Sequence, residues 1–506
     1  MNQFIKSSYS TLGVGVFILL FAPELVAAVS VSPLFGNHAI IQSGDNIPVW
    51  GTADEGEKVT VRFANQEATA VAIQGRWEVR FNGLKASTIP CELTVVGNSN
   101  TVISADILIG EVWLCSGQSN MAFNLGKVTP ANQEEARSHP MPQLRNFNVK
   151  QAVSPIVLKT VDGVWRIAEG NHLMGFTAVG YYFGRSLTEN QHVAVGLISS
   201  YWGGSPAEAW TSDKALKSQP ALEAIFVTHA KRIADFTKQM ENYLKSKATY
   251  DEKLAEAKSA GNPLPTEPKA PRDPQTSFPN SPSLLYNGML HPLIPVAMRG
   301  VIWYQGEANH QRSLEYQTLL PTMIADWRSD WGRGEFPFFM VQIAPFKGTN
   351  PLIREAQMKV CEKIKNTDLV CTLDVGEAED IHPKNKRPVG ERLALLARSK
   401  VYVEKVISSG PRFAKLKVSD NVAILSFNFT VGGLVATDNE LKGFSIAGDD
   451  KTFVPAIAVI KGNKVEVSAA GILKPVAVRY DWESAPKSSF SNGAGLPAFP
   501  FRTDDW

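Results

Sequence analysis

Cysteine is scarce in this chain: four among 506 residues, at positions 91, 115, 361 and 371. Cysteines so few and so scattered exclude a disulfide scaffold and a Cys-x-x-Cys zinc site. Cys361 and Cys371 either pair in an oxidising compartment or stay as two separate buried thiols. An excess of one charge is also missing. The 51 basic residues nearly cancel the 49 acidic ones, giving a formal net charge of +2, and no lysine or arginine run lies beside stacking aromatics. Nucleic acid and anionic membrane surfaces are therefore not expected partners. The apolar run at the amino end, Leu12 to Phe21, falls short of the ~20 residues that a membrane-spanning helix needs. With Lys6 before it and Val26-Ala27-Ala28 after it, it has the form of a cleaved secretory signal over residues 1–28. No cysteine follows Ala28 to accept a lipid. The mature protein is expected to be periplasmic or secreted, with no membrane association.

What the chain does have is length, and length alone argues for roughly three domains of about 150 residues. From Val29 to about Ala105, short period-two segments such as Lys58-Val59-Thr60-Val61-Arg62-Phe63 and Arg76-Trp77-Glu78-Val79-Arg80-Phe81 are separated by Gly, Asn, Asp and Pro clusters. This pattern predicts a small antiparallel β-sandwich domain over 29–105. Between 106 and 405 the pattern changes to continuous apolar strands at Val112 to Cys115, Val193 to Ser199, Val301 to Gln305, Phe338 to Ile343 and Leu369 to Asp374. Runs without strict alternation suit strands covered on both faces. Helix-period stretches such as Val179 to Asn190 and Val389 to Tyr402 supply the crossovers of an α/β domain with a parallel sheet. An insertion at about 216–282, first charged and helix-prone and then dense in proline, reads as a surface excursion, with a lid over the site as the other reading. From 406 to 506 the chain returns to β-strands.

One serine stands at a strand end, in Gly117-Gln118-Ser119-Asn120-Met121 directly after Glu111-Val112-Trp113-Leu114-Cys115. A serine hydroxyl needs a base, a group that orients the base, and donors for the developing oxyanion. Asp380-Ile381-His382-Pro383 lies far downstream, and in an extended segment residues two apart face the same side, so Asp380 can orient His382 toward Ser119. Two further strand ends, Trp202-Gly203-Gly204 and Trp303-Tyr304-Gln305-Gly306-Glu307, place Gly204 and Gln305 beside the Ser119 backbone as oxyanion donors. Gln118, Asn120, Glu307 and Asn309 are expected to contact substrate, with structural hydrogen bonding as the other reading for Glu307 and Asn309. All these segments emerge where ligands bind on open α/β sheets, outside the carboxyl ends of the strands. A metal site built on Asp374, Asp380 and His382 lacks a second clustered histidine, and the chain has no His-Glu-x-x-His helix, so no metal is expected.

These motifs, with Glu208-Ala209-Trp210, Leu285-Tyr286-Asn287-Gly288-Met289, Leu441-Lys442-Gly443-Phe444 and the run Gly495 to Arg502, resemble the sialate O-acetylesterase family of SGNH hydrolases over almost all of the mature chain. The resemblance implies Ser119 as nucleophile, His382 as general base, Asp380 as its partner, and Gly204 and Gln305 in the oxyanion hole. Two departures from general SGNH hydrolases stand out. Gln305-Gly306-Glu307 replaces a Gly-x-Asn-Asp block, and the acid three residues before the histidine is here Glu379, with Asp380 only two before it.

The function expected is that of an exported serine esterase, without cofactor, that removes O-acetyl groups from carbohydrates, foremost acetylated sialic acid. Acetylated xylan or another plant polysaccharide is the alternative substrate. A carbohydrate-binding protein without catalysis is the alternative of another class, because the 11 tryptophans can stack on sugar rings as well as fill a core. Asp380 is expected to stabilise the imidazolium and to raise the His382 pKa.

Overall fold

The computed structural model describes residues 28–506, so positions 1–27 of the expected export signal lie outside the described residues. The architecture is organised by one strand, Thr101–Gly117, in which every residue from Ile107 to Gly117 is buried. It lies at the middle of a sheet whose order is Gly163–Ala168, Met141–Val149, Val195–Tyr201, Thr101–Gly117, Gly300–Tyr304, Phe338–Val341, Thr367–Val370. All neighbouring pairs in this row are parallel except the first, which is antiparallel.

The continuous apolar runs have a direct packing cause. Val112 and Leu114 point into one hydrophobic cluster, while Trp113 and Cys115 point into another on the opposite face. Helices Ala178–Gln191 and Arg387–Lys400 cover the second face through Val179, Leu187, Val389 and Leu393. Helices Ser313–Trp331 and Leu352–Lys363 cover the first through Tyr316, Leu320, Trp327, Ile353 and Val360. Truncating a residue so enclosed, such as Leu114 to Ala, is expected to cost about 2–5 kcal/mol. Trp77, Trp113, Trp210, Trp303 and Trp327 are among the largest fully buried side chains, so these five fill the core and present no face to a sugar.

The amino-terminal β region is joined to this core without a break. The Thr101–Gly117 strand pairs antiparallel with Ser87–Val96 and parallel with Ile40–Gln42 before it enters the α/β sheet. It passes through 105–106, where Asp106 adopts φ 56° and is held by Arg145 Nη2 at 2.9 Å and His38 Nδ1 at 2.6 Å. The edge pair Met141–Val149 and Gly163–Ala168 has no counterpart among the strands expected from apolar runs. Its sequence contains Pro142 and four polar residues, so its β character comes from pairing with Val195–Tyr201 rather than from its own pattern.

The insertion forms a 38-residue helix, Glu223–Ala260, in which only Ile225 and Ala257 are buried. Residues 262–282 return without regular structure. After position 410 two four-stranded antiparallel sheets enclose their own apolar cluster around Leu425, Ile446, Val478 and Tyr480. They dock on the α/β core through the buried Arg354, which donates to the carbonyls of Ile343, Glu483 and Ser484. All four cysteines are free, so Cys361 and Cys371 do not pair. No helix among the described residues is long and apolar enough to cross a membrane.

Candidate active site

The central strand ends on a residue that has to be glycine. Gly117 has φ +135°, and a Cβ there would lie 2.1 Å from the carbonyl oxygen of Tyr304. This close approach lets Gln118 N–H donate to Tyr304 O at 2.9 Å, after which the chain turns into the short helix Ser119–Ala122. Ser119 is thereby lifted half-exposed above the carboxyl edge of the sheet. The loop after Thr367–Val370 brings His382 to the same place, and its Nε2 lies 2.8 Å from Ser119 Oγ. A hydroxyl at hydrogen-bond distance from an imidazole can be deprotonated as it attacks an electrophile.

The loop that carries His382 is organised by its own carboxylates. Asp380 Oδ1 accepts the main-chain N–H of His382 at 2.8 Å and lies 3.9 Å from its Nδ1. Glu377 Oε1 accepts the N–H of Lys384 at 2.9 Å. Glu379, at the spacing common in other SGNH hydrolases, pairs instead with Lys347 on the surface. Asp374, weighed as a metal ligand, is engaged by Arg392 through both carboxylate oxygens. No group of three or more His, Cys, Asp or Glu among the described residues is arranged to hold a metal.

Gly204 follows the Val195–Tyr201 strand with φ +71°, exposed, and an added Cβ at Gly203 would lie 3.7 Å from Ser119 Cβ. Among the described residues, neither the Ser119 nor the Gly204 N–H has an acceptor within the protein. Gln305 does not join them. Its side chain is completely buried, its Nε2 donates to Ser205 O at 3.3 Å and Asn309 Oδ1 at 2.6 Å, and its Oε1 accepts Tyr316 OH at 2.9 Å. The expectation of a Gln305 oxyanion donor is corrected: the amide is directed into the core, where a buried polar group has to be satisfied.

The four residues expected at the substrate are buried too, and they build the floor of the site. Gln118 Oε1 accepts the N–H groups of Gly306 and Ala308, tying the nucleophile turn to the Gly300–Tyr304 strand end. Asn309 accepts the N–H of Ala207 at 3.0 Å and donates to Glu208 at 2.9 Å, fixing the segment after Gly204. Asn120 donates to Glu307 Oε1 at 2.6 Å and to Ile381 O at 3.0 Å, so one amide joins the residue after Ser119 to the residue before His382.

Sequence reasoning missed Lys386. It is fully buried, its Nζ donates to Asn120 Oδ1, and the ammonium lies 4.9 Å and 5.4 Å from the ring centroids of Phe123 and Tyr304. Burial pushes its pKa down to about 7 against the pull of Glu307, Asp380 and Glu377. Burial raises the Glu307 carboxyl, with the Asn120 hydrogen bond and the Lys386 charge opposing. For His382, burial lowers the pKa, the Lys386 charge adds to the lowering, and Asp380 opposes it without reversing it. Its position four residues after His382, in a loop of several charged side chains, gave Lys386 no distinguishing signal in the sequence.

Comparison with known proteins agrees with this chemistry. Residues 109–261 and 280–398 match the family described as carbohydrate esterase, sialic acid-specific acetylesterase. The rat sialate O-acetylesterase is 28% identical over 96% of this chain and 97% of its own length. The human sialate O-acetylesterase is 27% identical over 90% of this chain and 88% of its own. A crystal structure of a carbohydrate acetylesterase from Xanthomonas citri superposes with a TM-score of 0.80 at 32% identity, covering 95% of this chain and all of that one. With a serine and a histidine in hydrogen-bond contact at the carboxyl edge of its sheet, this chain belongs to the sialic acid-specific acetylesterase family of carbohydrate esterases.

Proposed function

We propose that this protein hydrolyses O-acetyl esters of sialic acids through Ser119 and His382. The observation that carries this reading is the 2.8 Å contact between Ser119 Oγ and His382 Nε2, at a strand end flanked by unpaired backbone donors. Ser119 Oγ attacks the acetyl carbonyl as His382 takes its proton. The carbonyl oxygen becomes an oxyanion that accepts from the Ser119 and Gly204 N–H groups. Collapse of the tetrahedral intermediate breaks the bond to the sugar oxygen, which receives the proton from His382, and leaves an acetyl-enzyme. Water, deprotonated by His382, then attacks the acetyl group, and the second tetrahedral intermediate collapses to acetate as His382 returns the proton to Ser119 Oγ. Asp380 acts as a positioning residue that fixes the main chain of His382.

The relatives named for sialate deacetylation support sialic acid as the substrate class. The leader at Lys6, Leu12 to Phe21 and Val26-Ala27-Ala28 supports export to the periplasm or medium, with cleavage near Ala28. The test is acetate release from an O-acetylated N-acetylneuraminic acid, compared with acetylated xylo-oligosaccharides. Turnover of the sialic acid by the unmodified protein and none by Ser119→Ala is expected. Binding of the acetylated sugar without acetate release would overturn the esterase reading.

A further inference from the structure

A polar cleft opens at the turn that holds Gly204 and runs toward the insertion. Gly204 and Ala308 form its near end, and both are tied to the site: Gly204 follows Gly203, whose added Cβ would lie 3.7 Å from Ser119 Cβ, and Ala308 bonds Gln118. Its far end is made by the first turns of the Glu223–Ala260 helix and by the returning segment of the insertion, through His229, Arg232 and Asn280. The cleft has a volume of about 360 Å³, within the roughly 300–1,000 Å³ of small-molecule sites. The insertion, exposed over most of its long helix, thus also forms one wall of this cleft.

The charges along that wall differ in one respect that matters for a ligand. Arg312 is engaged by Glu208 and Glu315, and Glu208 is further held by Asn309. Arg232 has no carboxylate partner among the described residues. Its guanidinium lies 5.1 Å from the Phe278 ring centroid and reaches only the Asn280 carbonyl, at 3.5 Å. A half-buried guanidinium with its fork unpaired is suited to bidentate binding of a carboxylate. Beside it, His229 has its Nδ1 buried without a hydrogen-bond partner among the described residues. Burial, and then the Arg232 charge, lower the His229 pKa, so the ring stays neutral near pH 7 and adds hydrogen-bonding capacity without a second cation.

Resting on the esterase reading of Ser119, we infer that this cleft is the subsite for the acidic group of the substrate, with Arg232 pairing the sugar carboxylate while the acetyl ester lies at Ser119. The insertion then supplies the selection for a carboxylate-bearing sugar over a neutral one, which the Ser119–His382 pair cannot do because the acetyl group is the same in both.

The experiment compares three substrates of the full protein: an O-acetylated N-acetylneuraminic acid, the same sugar with its carboxylate converted to the primary amide, and 4-nitrophenyl acetate. The unmodified enzyme is expected to prefer the acid over the amide by about 10-fold or more in kcat/KM, the range of a hydrogen bond to a charged group. Arg232→Gln is expected to abolish that preference by raising KM for the acid, with the amide and 4-nitrophenyl acetate unchanged. Equal turnover of acid and amide by the unmodified enzyme, with 4-nitrophenyl acetate still cleaved, would remove the subsite and leave the esterase intact. Failure to release acetate from any of the three would remove the esterase reading, and the subsite with it. The acid-to-amide comparison needs no variant, so a misfolded Arg232→Gln would still leave the inference decided.

Discussion

Asp380 holds His382 by its backbone: the carboxylate oxygen lies 2.8 Å from the His382 main-chain nitrogen and 3.9 Å from its Nδ1. The i, i+2 spacing does bring the acid and the imidazole together, but the short bond is made to the chain and not to the ring. The acid therefore orients the base chiefly by shaping the loop, and its charge acts on the imidazole from a greater distance. This arrangement separates what the neutral and charged forms of residue 380 contribute.

Replacing Asp380 by Asn keeps an acceptor for the His382 N–H and removes the charge. Between groups about 4 Å apart near a surface, that charge is worth on the order of 1 kcal/mol in water and more in a less polar setting. A loss of about 10-fold in kcat/KM is expected for Asp380→Asn, with a larger loss for Asp380→Ala, which also frees the loop. Steady-state kinetics on both variants would show the order; equal losses would mean that the backbone bond contributes nothing.

The Ser119→Ala variant should lose at least ~10³-fold in ester hydrolysis, because groups that act as a unit in catalysis lose most of their effect when one is removed. Circular dichroism should be unchanged, since Ser119 is half-exposed and its hydroxyl bonds only His382 among the described residues. A folded variant with near-normal turnover would take Ser119 out of the mechanism.

The pH dependence is expected to run opposite to the reading from sequence. Asp380 alone would raise the His382 pKa, but burial and the Lys386 charge together place it below its ordinary value. Only neutral imidazole accepts the serine proton, so activity persists above the His382 pKa and is lost as the pH falls through it. The acid limb of kcat/KM should lie below the ~6.5 of an unperturbed histidine. A limb above that value would mean that the Asp380 charge dominates.

Lys386→Met tests the buried amine. Removing a positive charge near His382 should move the acid limb of kcat/KM upward, toward the ordinary histidine value. It also frees Asn120 Oδ1, and an unsatisfied buried acceptor costs about 1–3 kcal/mol. A drop of about 10-fold in kcat with little change in KM is expected from the loosened Asn120 bridge. An unmoved acid limb would show that the Lys386 charge does not reach the imidazole.

Gln305→Ala separates a donor role from a structural one. An oxyanion donor removed from an active site costs about 10²–10³ in kcat. Since Gln305 is directed into the core, the variant should instead lower the thermal midpoint, with less than a 10-fold loss in kcat per folded molecule. A loss of 10² or more at unchanged stability would restore Gln305 to the oxyanion hole.

How much of this was legible in the sequence differs by residue. The parallel core was readable because Val112 to Cys115 and its sister strands are runs of mostly apolar residues without strict alternation, as a sheet covered on both faces requires. Met141–Val149 was not, because a strand with proline and polar residues owes its state to the two neighbours it pairs with. The proximity of Ser119 and His382 was inferable from motif types placed at successive strand ends, since a parallel sheet delivers those ends to one edge. Gln305 and Asn309 read equally well as donors to substrate or to the protein, and composition has no means of choosing between them.

What the sequence determined by itself is therefore the apolar strands of the core, the edge at which they end, and the residue types gathered there, because periodicity and strand-end glycines are local properties of the chain. Only the tertiary structure decided which way each polar side chain turned. It directs Gln305 into the core, aims Asp380 at a backbone amide, buries Lys386 beneath Asn120, and leaves Arg232 without a carboxylate partner among the described residues in the cleft that starts at Gly204. The physical reason is that a buried polar group takes whichever partner the packing brings within about 3 Å, and those partners lie up to 266 residues away along the chain.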